Sequence, residues 1–505
     1  MSTKRPCLSI SGPVVAGRTL ALESLESRRL LAIDFDLLKD VNATQDSGGS
    51  YPAEIVAVGS TAFFTATTPQ HGLELWKSDG TEAGTILVKD IRAGSLGSNI
   101  LSYPPPSSWL TNVGGTLFFV ANDGGTGTEL WKSDGTEAGT VRVKDIRAGL
   151  DSSSPSLLTN VGGTLFFVAH DGVTGAELWK SDGTEAGTVL VKDTRPGLNG
   201  SSVIAPTNVG GTLYFGVNGS SEFELWKSDG TEAGTVRVKA IRIDFSSTVP
   251  PSFAAVGGVL YFRAFEYAAG AELWKSDGTE AGTVRVKDIR TGLNSSSPRY
   301  LTNVGGTLYF SASDGVMGRE LWKSDGTDAG TVRVKDIGAG WSSSGVARLT
   351  NVGGTLYFNT DDGVNGVELW KSDGSEAGTV RVKDIRAGSG SSSPRYLTNV
   401  GGTLYFSAND GASGVELWKS DGTEAGTVRV KDIYAGPQES SPRHLANVGG
   451  MLYFSAYTPA IRGELWKSDG TEAGTVLVKD IRVGGGGILS QLADERRRCA
   501  LLLGR

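Results

Sequence analysis

An all-β chain, a β-propeller of four-stranded antiparallel blades built from about nine repeats of ~48 residues, is what three observations predict. First, Glu-Leu-Trp recurs with its tryptophan at Trp76, Trp131, Trp179, Trp226, Trp274, Trp322, Trp370, Trp418 and Trp466. The steps between them are 55, 48, 47 and then 48 residues throughout. Second, each unit divides into four short apolar runs, with little helical periodicity. Third, Ser-Asp-Gly-Thr stands between the last two runs of nearly every unit, a hairpin signal.

The unit around Trp418 justifies each element in turn. Tyr396–Val400 forms a first strand, ended by Gly401-Gly402. Thr403–Ala408 is apolar or small on both faces, as a strand sandwiched between two layers must be. The stretch 409–414 has the Gly, Asp and Ser content of a turn. Val415–Ser420 is the third strand and carries the tryptophan. After the turn at 421–426, Val428 and Val430 alternate with Arg429 and Lys431, predicting a half-buried fourth strand. Its Lys431-Asp432-Ile433 end breaks the alternation, so a bulge or strand end is expected there.

Repeat units of roughly 40–50 residues suit propeller blades, whereas the rungs of a β-solenoid, the main competing fold, are shorter and need no hairpin turn. Nine copies exceed the typical range of about 4–8 blades, so two smaller propellers stay open beside one nine-bladed ring. There is also a surplus strand, Asp34–Val41, which matches the fourth-strand text and precedes the first unit. Pairing of this strand with the edge of the last blade would close a ring and remove exposed edges.

The repeats divide the chain into a leader-like segment at 1–33, the repeat region at 34–483 and a tail at 484–505. The leader contains Arg18, Glu23, Glu26, Arg28 and Arg29, which interrupt any apolar run of a conventional signal peptide. No stretch of about 20 apolar residues occurs, so no membrane-spanning helix is expected.

Composition excludes several functional classes. Glycine supplies 72 of 505 residues but has no collagen-like period. The net charge of −7 offers no basic excess for a phosphate backbone, so nucleic acid is not an expected partner. Cys7 and Cys499 lie at opposite ends and cannot form a disulfide framework. Only three histidines are present, which leaves little for acid–base, triad or zinc chemistry.

The repeated Glu-Leu-Trp-Lys-Ser-Asp-Gly-Thr resembles the ELWxxDGT repeat of bacterial secreted and surface proteins, with Asp328 and Ser375 among the small departures within the repeat. Leu22–Ala32 is similar to the LEPR-XLL segment at the start of large exported bacterial proteins, with Ser27 where that motif has proline. The resemblance implies a propeller-like, exported protein, extracellular or at the cell surface, with no assigned reaction.

The nine tryptophans stand in one identical context, which predicts a structural role between neighbouring blades rather than a row of sugar-stacking platforms. The nine glutamates beside them, Glu74 through Glu464, are expected to pair with lysines of the Lys419 type or with fourth-strand Lys and Arg. Asp421 and its equivalents precede glycine and are expected to accept backbone N–H bonds in their turns. Pairs six apart, Asp171/Glu177, Asp314/Glu320 and Asp410/Glu416, leave calcium possible although no EF-hand pattern exists; no other cofactor and no metal-ligand set is expected.

Comparison of the units shows where individuality lies. Turns between strands one and two and between strands three and four barely change. Loops between strands two and three, and the linkers from strand four to the next unit, change from unit to unit. In an antiparallel four-stranded blade these two variable sets share one face. That face is the expected contact surface of a non-enzymatic binding or scaffold protein meeting an unidentified protein or glycan. Its candidate contacts are Arg299, Tyr300, Trp341, Arg395, Tyr396, Arg443 and His444. The competing expectations are a propeller enzyme acting on polysaccharide, a lyase or hydrolase, and a purely structural surface component. Units four and five, with Glu222, Arg263 and Glu266, depart most from the rest.

Overall fold

The structure is a computed structural model that describes residues 48–98, 100, 109–198, 200–218, 223–243, 253–338 and 342–482. The leader, Asp34–Val41, the tail, Glu222 and Trp341 lie outside the described residues.

Nine sheets are present, each of four antiparallel strands taken from one continuous stretch of chain. Blades one to nine span 53–89, 110–144, 156–192, 204–240, 253–287, 299–335, 347–383, 395–431 and 443–479. Blade five gains a fifth short strand, Arg242–Ile243, which pairs with Phe265 and Ala264. The first strands of consecutive blades adjoin one another all the way round, blade nine against blade one included. The molecule is therefore one nine-bladed β-propeller with the first strands innermost, and neither a solenoid nor two smaller rings.

The layers between blades are apolar. Blade seven gives Val352, Tyr357, Leu369 and Val382, with Ile385 just beyond, to a cluster completed by Leu404, Phe406, Ala408 and Trp418 of blade eight. The opposite face of blade eight, with Tyr405, Leu417 and Val430, meets Leu452, Phe454 and Trp466 of blade nine in the same way. Each blade thus presents its indole and a fully buried phenylalanine to the blade before it. The layer repeats at the seam, where Val448, Tyr453, Leu465 and Val478 of blade nine, followed by Ile481, pack on Ile55, Phe64 and Trp76 of blade one.

Polar stitches reinforce these layers on the constant side. Lys431 Nζ donates to Thr475 O of the next blade at 3.0 Å, and Lys479 Nζ donates to Thr85 O at 2.9 Å across the seam. Asp421 Oδ1 accepts from Thr423 N at 2.8 Å, so the aspartate organises its own turn. Gly422 follows at φ +90, and a β-carbon there would overlap Tyr357 Oη of the preceding blade. Both the backbone conformation and the close approach require glycine.

Asp34–Val41, expected to pair with the edge of blade nine, lies outside the described residues, and Val476–Lys479 fills that blade's fourth place. Among the described residues the seam is closed by face-to-face packing and by the segment just ahead of blade one. Ser50 N and Oγ both donate to Glu464, and Tyr51 N donates to Gly463 O at 2.8 Å. The fourth strand is Val428–Lys431, ending where the broken alternation placed a bulge or strand end, with Val430 buried and Val428 36% exposed. A register shift between Leu417 and Trp418 places Lys431 opposite Leu417 and Arg429 opposite Trp418, and the edge strand leaves Val428 half in water.

Candidate functional site

In every blade but the fourth, the glutamate beside the tryptophan has backbone and hydroxyl donors in place of the expected lysine or fourth-strand Lys or Arg. Glu416 is fully buried, accepts Ser440 N at 2.8 Å on Oε1, and accepts Ser440 Oγ at 2.6 Å and Ile433 N at 3.0 Å on Oε2. Ile433 and Ser440 belong to the linker leaving the same blade, so the carboxylate ties that linker back onto the third strand. Glu129, Glu272, Glu320, Glu368 and Glu464 repeat the arrangement, and Glu74 and Glu177 vary it. Lysine is excluded because the surrounding backbone donors already saturate the site. Blade four departs: Glu224 turns outward to Arg237 at 2.9 Å and to Trp226 Nε1 at 2.9 Å.

Burial pushes Glu74, Glu272, Glu320, Glu416 and Glu464 up to about 7, against the opposing pull of their hydrogen bonds. The folded state then holds protons that the unfolded chain gives up near pH 4.5. Stability from these groups is complete below that value and declines as pH rises through about 7. The turn aspartates, Asp421 among them, are held below the ordinary value by bonds to the following threonine, a contribution lost in acid. Thermal unfolding followed from pH 5 to pH 8 should show a falling midpoint, with a shallower fall in Glu416→Gln. A rising midpoint over that range would refute the assignment.

These bonds place the linkers beside the loops between strands two and three: Ser441 N donates to Val415 O at 3.0 Å. The two variable sets therefore occupy one face. The inner strands reach the same face through a bulge. In blade eight Arg395 opposes Ser407 and Thr398 opposes Tyr405, leaving an extra residue between them. Tyr396 in that bulge has φ +55. Glu54, Leu157, Ala205, Tyr300, Arg348 and His444 hold matching positions, all with positive φ. The positive-φ backbone is shared while its side chain differs from blade to blade, exposed in Tyr300, Arg348, Tyr396 and His444 and packed on the core in Leu157.

Six of the seven sequence-predicted contacts fall on this arc: Arg299 and Tyr300 in blade six, Arg395 and Tyr396 in blade eight, and Arg443 and His444 in blade nine. Trp341 is the one outside the described residues. Tyr396 and His444 lie next to each other, ring centroids 6.5 Å apart. Partial desolvation and the charge of Arg443 hold the His444 imidazole below its ordinary value. Arg348 of blade seven joins the arc, unforeseen because its sequence neighbour is Ala347 rather than arginine.

The arc runs into a pocket of about 350 Å³ at the seam, lined by Tyr51, Tyr434, Gln438, Glu439, Arg443 and Tyr457 and floored by Ser455, Ala456 and Gly463. The Tyr434 and Tyr457 rings stand 6.3 Å apart at 50°. A smaller pocket of about 270 Å³ in blade three is lined at the matching places by Arg147, Ser156, Val168, His170 and Ala176. Blade six shows the same niche filled. Arg319, at the place of Gly463, donates to Ser297 O at 2.9 Å and Ser311 O at 3.1 Å, and burial with Arg299 and Arg263 nearby lowers it to about 10. Sequence reasoning missed Tyr51, Tyr434 and Tyr457. Their signal was present: Tyr51 stands where other linkers have Ser393 or Ser441, and Tyr457 where blade eight has Asn409.

The pairs considered for calcium do not converge. Asp410 Oδ1 accepts Ala412 N and Ser413 N, and its Oδ2 faces Arg429, while Glu416 points to the linker. Among the described residues no three His, Cys, Asp or Glu side chains are grouped to hold a metal ion. Nor is any helix long and apolar enough to cross a membrane. Of the departures in unit five, Arg263 is buried and Glu266 pairs with Arg285 at 3.0 Å.

The chain matches no family model and no curated protein. Among solved structures it is similar to puromycin hydrolase, with 16% identity over 65% of this chain and 54% of that one, at a TM-score of 0.34. A structure described as TolB from Agrobacterium tumefaciens matches with 12% identity over 42% of this chain and 74% of that one, at 0.26. The chain thus spans about half the length of the hydrolase.

Proposed function

We propose that this propeller is a non-enzymatic binding or scaffold protein, working outside the cell or at its surface, whose variable face meets a protein or glycan partner. One observation carries the reading: the side chains common to all units are consumed in building the ring, whereas those that differ are gathered on one face. The glutamates, tryptophans and turn aspartates are engaged within blades or between them. Arg395, Tyr396 and Arg443 sit exposed at the inner edge of the face, and both guanidinium groups lack an ion-pair partner among the described residues. Exposed arginine and tyrosine side chains are the types most often dominant in binding surfaces. The export-related resemblance of the repeat and of Leu22–Ala32 supports the location.

A glycan and protein binding array run on the full chain should return a partner. The double variant Arg395→Ala, Tyr396→Ala should weaken it by about tenfold or more while the melting temperature holds. Unchanged affinity, or a lost fold, would count against the reading.

A further inference from the structure

Granting the binding role just proposed, we infer that the seam pocket of blade nine and the arginine arc beside it take an acidic saccharide, with a pyranose ring in the pocket and its carboxylate or sulfate on Arg443.

The first argument comes from how the chain treats its other arginines. On the outer part of the blades, arginine is answered by a carboxylate: Arg285 by Glu266 at 3.0 Å, Arg333 by Asp314 at 3.3 Å, Arg429 by Asp432 at 3.5 Å. The arc does the opposite. Arg299, Arg348, Arg395 and Arg443 have no ion pair among the described residues, and the buried Nε of Arg299 has no hydrogen-bond partner. On a chain of net charge −7, four unanswered guanidinium groups along neighbouring inner strands make a local positive track. Guanidinium presents a planar fork that matches carboxylate and sulfate oxygens.

The second argument is the pocket. Its volume of about 350 Å³ falls at the small end of the range for ligand sites. Tyr51, Tyr434 and Tyr457 supply flat apolar faces, and Gln438, Glu439 and Arg443 supply polar groups; among the described residues, only the Tyr457 hydroxyl of these side-chain groups has a hydrogen-bond or ion-pair partner, Arg462 at 2.8 Å. Flat apolar faces ringed by unpaired donors and acceptors suit a sugar, whose ring has apolar C–H faces and a polar hydroxyl edge. Glu439 at the rim is placed to accept from sugar hydroxyls.

The third argument is that the niche differs between blades, open at about 350 Å³ here and at about 270 Å³ in blade three. The niche is closed by Arg319 in blade six, and the equivalent of Gly463 is Val367 in blade seven and Val415 in blade eight. A β-carbon on Gly463 would lie 2.7 Å from Tyr51 Cδ1, so glycine there is what allows Tyr51 to wall the pocket. Tyr51 arrives from the far end of the chain, so the pocket is complete only when the ring is closed.

The test uses the full chain in affinity electrophoresis and calorimetry with polygalacturonate, dextran sulfate, unmodified dextran and poly-L-glutamate. Polygalacturonate or dextran sulfate should bind and weaken with added salt, and dextran should not bind. Arg443→Ala should weaken binding by about tenfold. Gly463→Val should do the same by displacing the Tyr51 ring, which is 56% exposed and can swing into solvent, so the melting temperature should stay near that of the parent. Equal retention by dextran, indifference to Gly463→Val, or poly-L-glutamate binding as tightly as the glycans would each overturn the inference, the last pointing to an acidic peptide. Failure of both acidic glycans would also overturn it. A partner from the array that still depends on Arg395 and Tyr396 would then leave the broader binding role standing.

Discussion

Truncating Trp418 to alanine is expected to destabilise the ring by about 3–5 kcal/mol, the usual cost of removing a buried aromatic side chain. The indole is 6% exposed and lies between two blades, against Val352, Leu369 and Val382 of the preceding one, so its loss opens a cavity in a layer that holds two sheets together. Few neighbours can collapse into the space, because strand spacing and the ring of nine fix how closely the blades approach. Trp226 is the internal control. It is only partly buried and its Nε1 donates to the outward-turned Glu224, so Trp226→Ala should cost distinctly less. Chemical unfolding of the two variants side by side measures the difference, and equal losses would show that the indoles do not act as inter-blade packing.

The second large effect is expected at the buried carboxylates. Glu416→Ala strands Ser440 N–H and Ile433 N–H inside the protein, while the Ser440 hydroxyl can turn to another acceptor. One buried and one part-buried donor without acceptors cost about 2–5 kcal/mol together. Glu464→Ala should show a comparable loss and, in addition, free the segment at Ser50 that seals the ring. Proteolysis near the amino-terminal end of blade one should then accelerate in Glu464→Ala and not in Glu416→Ala. Glu224→Ala, which removes a half-exposed ion pair with Arg237 and the acceptor of the part-buried Trp226 Nε1, should cost no more than about 2 kcal/mol.

Much of the architecture was legible in one unit repeated nine times. The continuous apolar run Thr403–Ala408, the Asp421-Gly422 turn and the constant spacing of Trp418 are local signals, and local backbone chemistry decides strands and hairpins. The variable face was legible for a related reason, since antiparallel connection obliges alternate loops to emerge on one side. The glutamate was misjudged because its partners, Ile433 and Ser440, look unremarkable in the linker, and backbone N–H groups leave no mark in a sequence. Lysine was the visible cation, yet Lys431 is spent on Thr475 O of the next blade. The pocket was missed because Tyr51, Tyr434 and Gly463 lie in three separate stretches and each looks like ordinary loop drift.

By itself the sequence determined the blade, the number of copies and the side on which the copies differ, because each follows from interactions within about 48 residues of chain. Only the tertiary structure decided how the ring is sealed, what satisfies the buried carboxylates and which niche stands open. Those outcomes depend on groups such as Ser50 and Glu464, 414 residues apart, whose meeting is set by how nine twisted sheets pack into a circle.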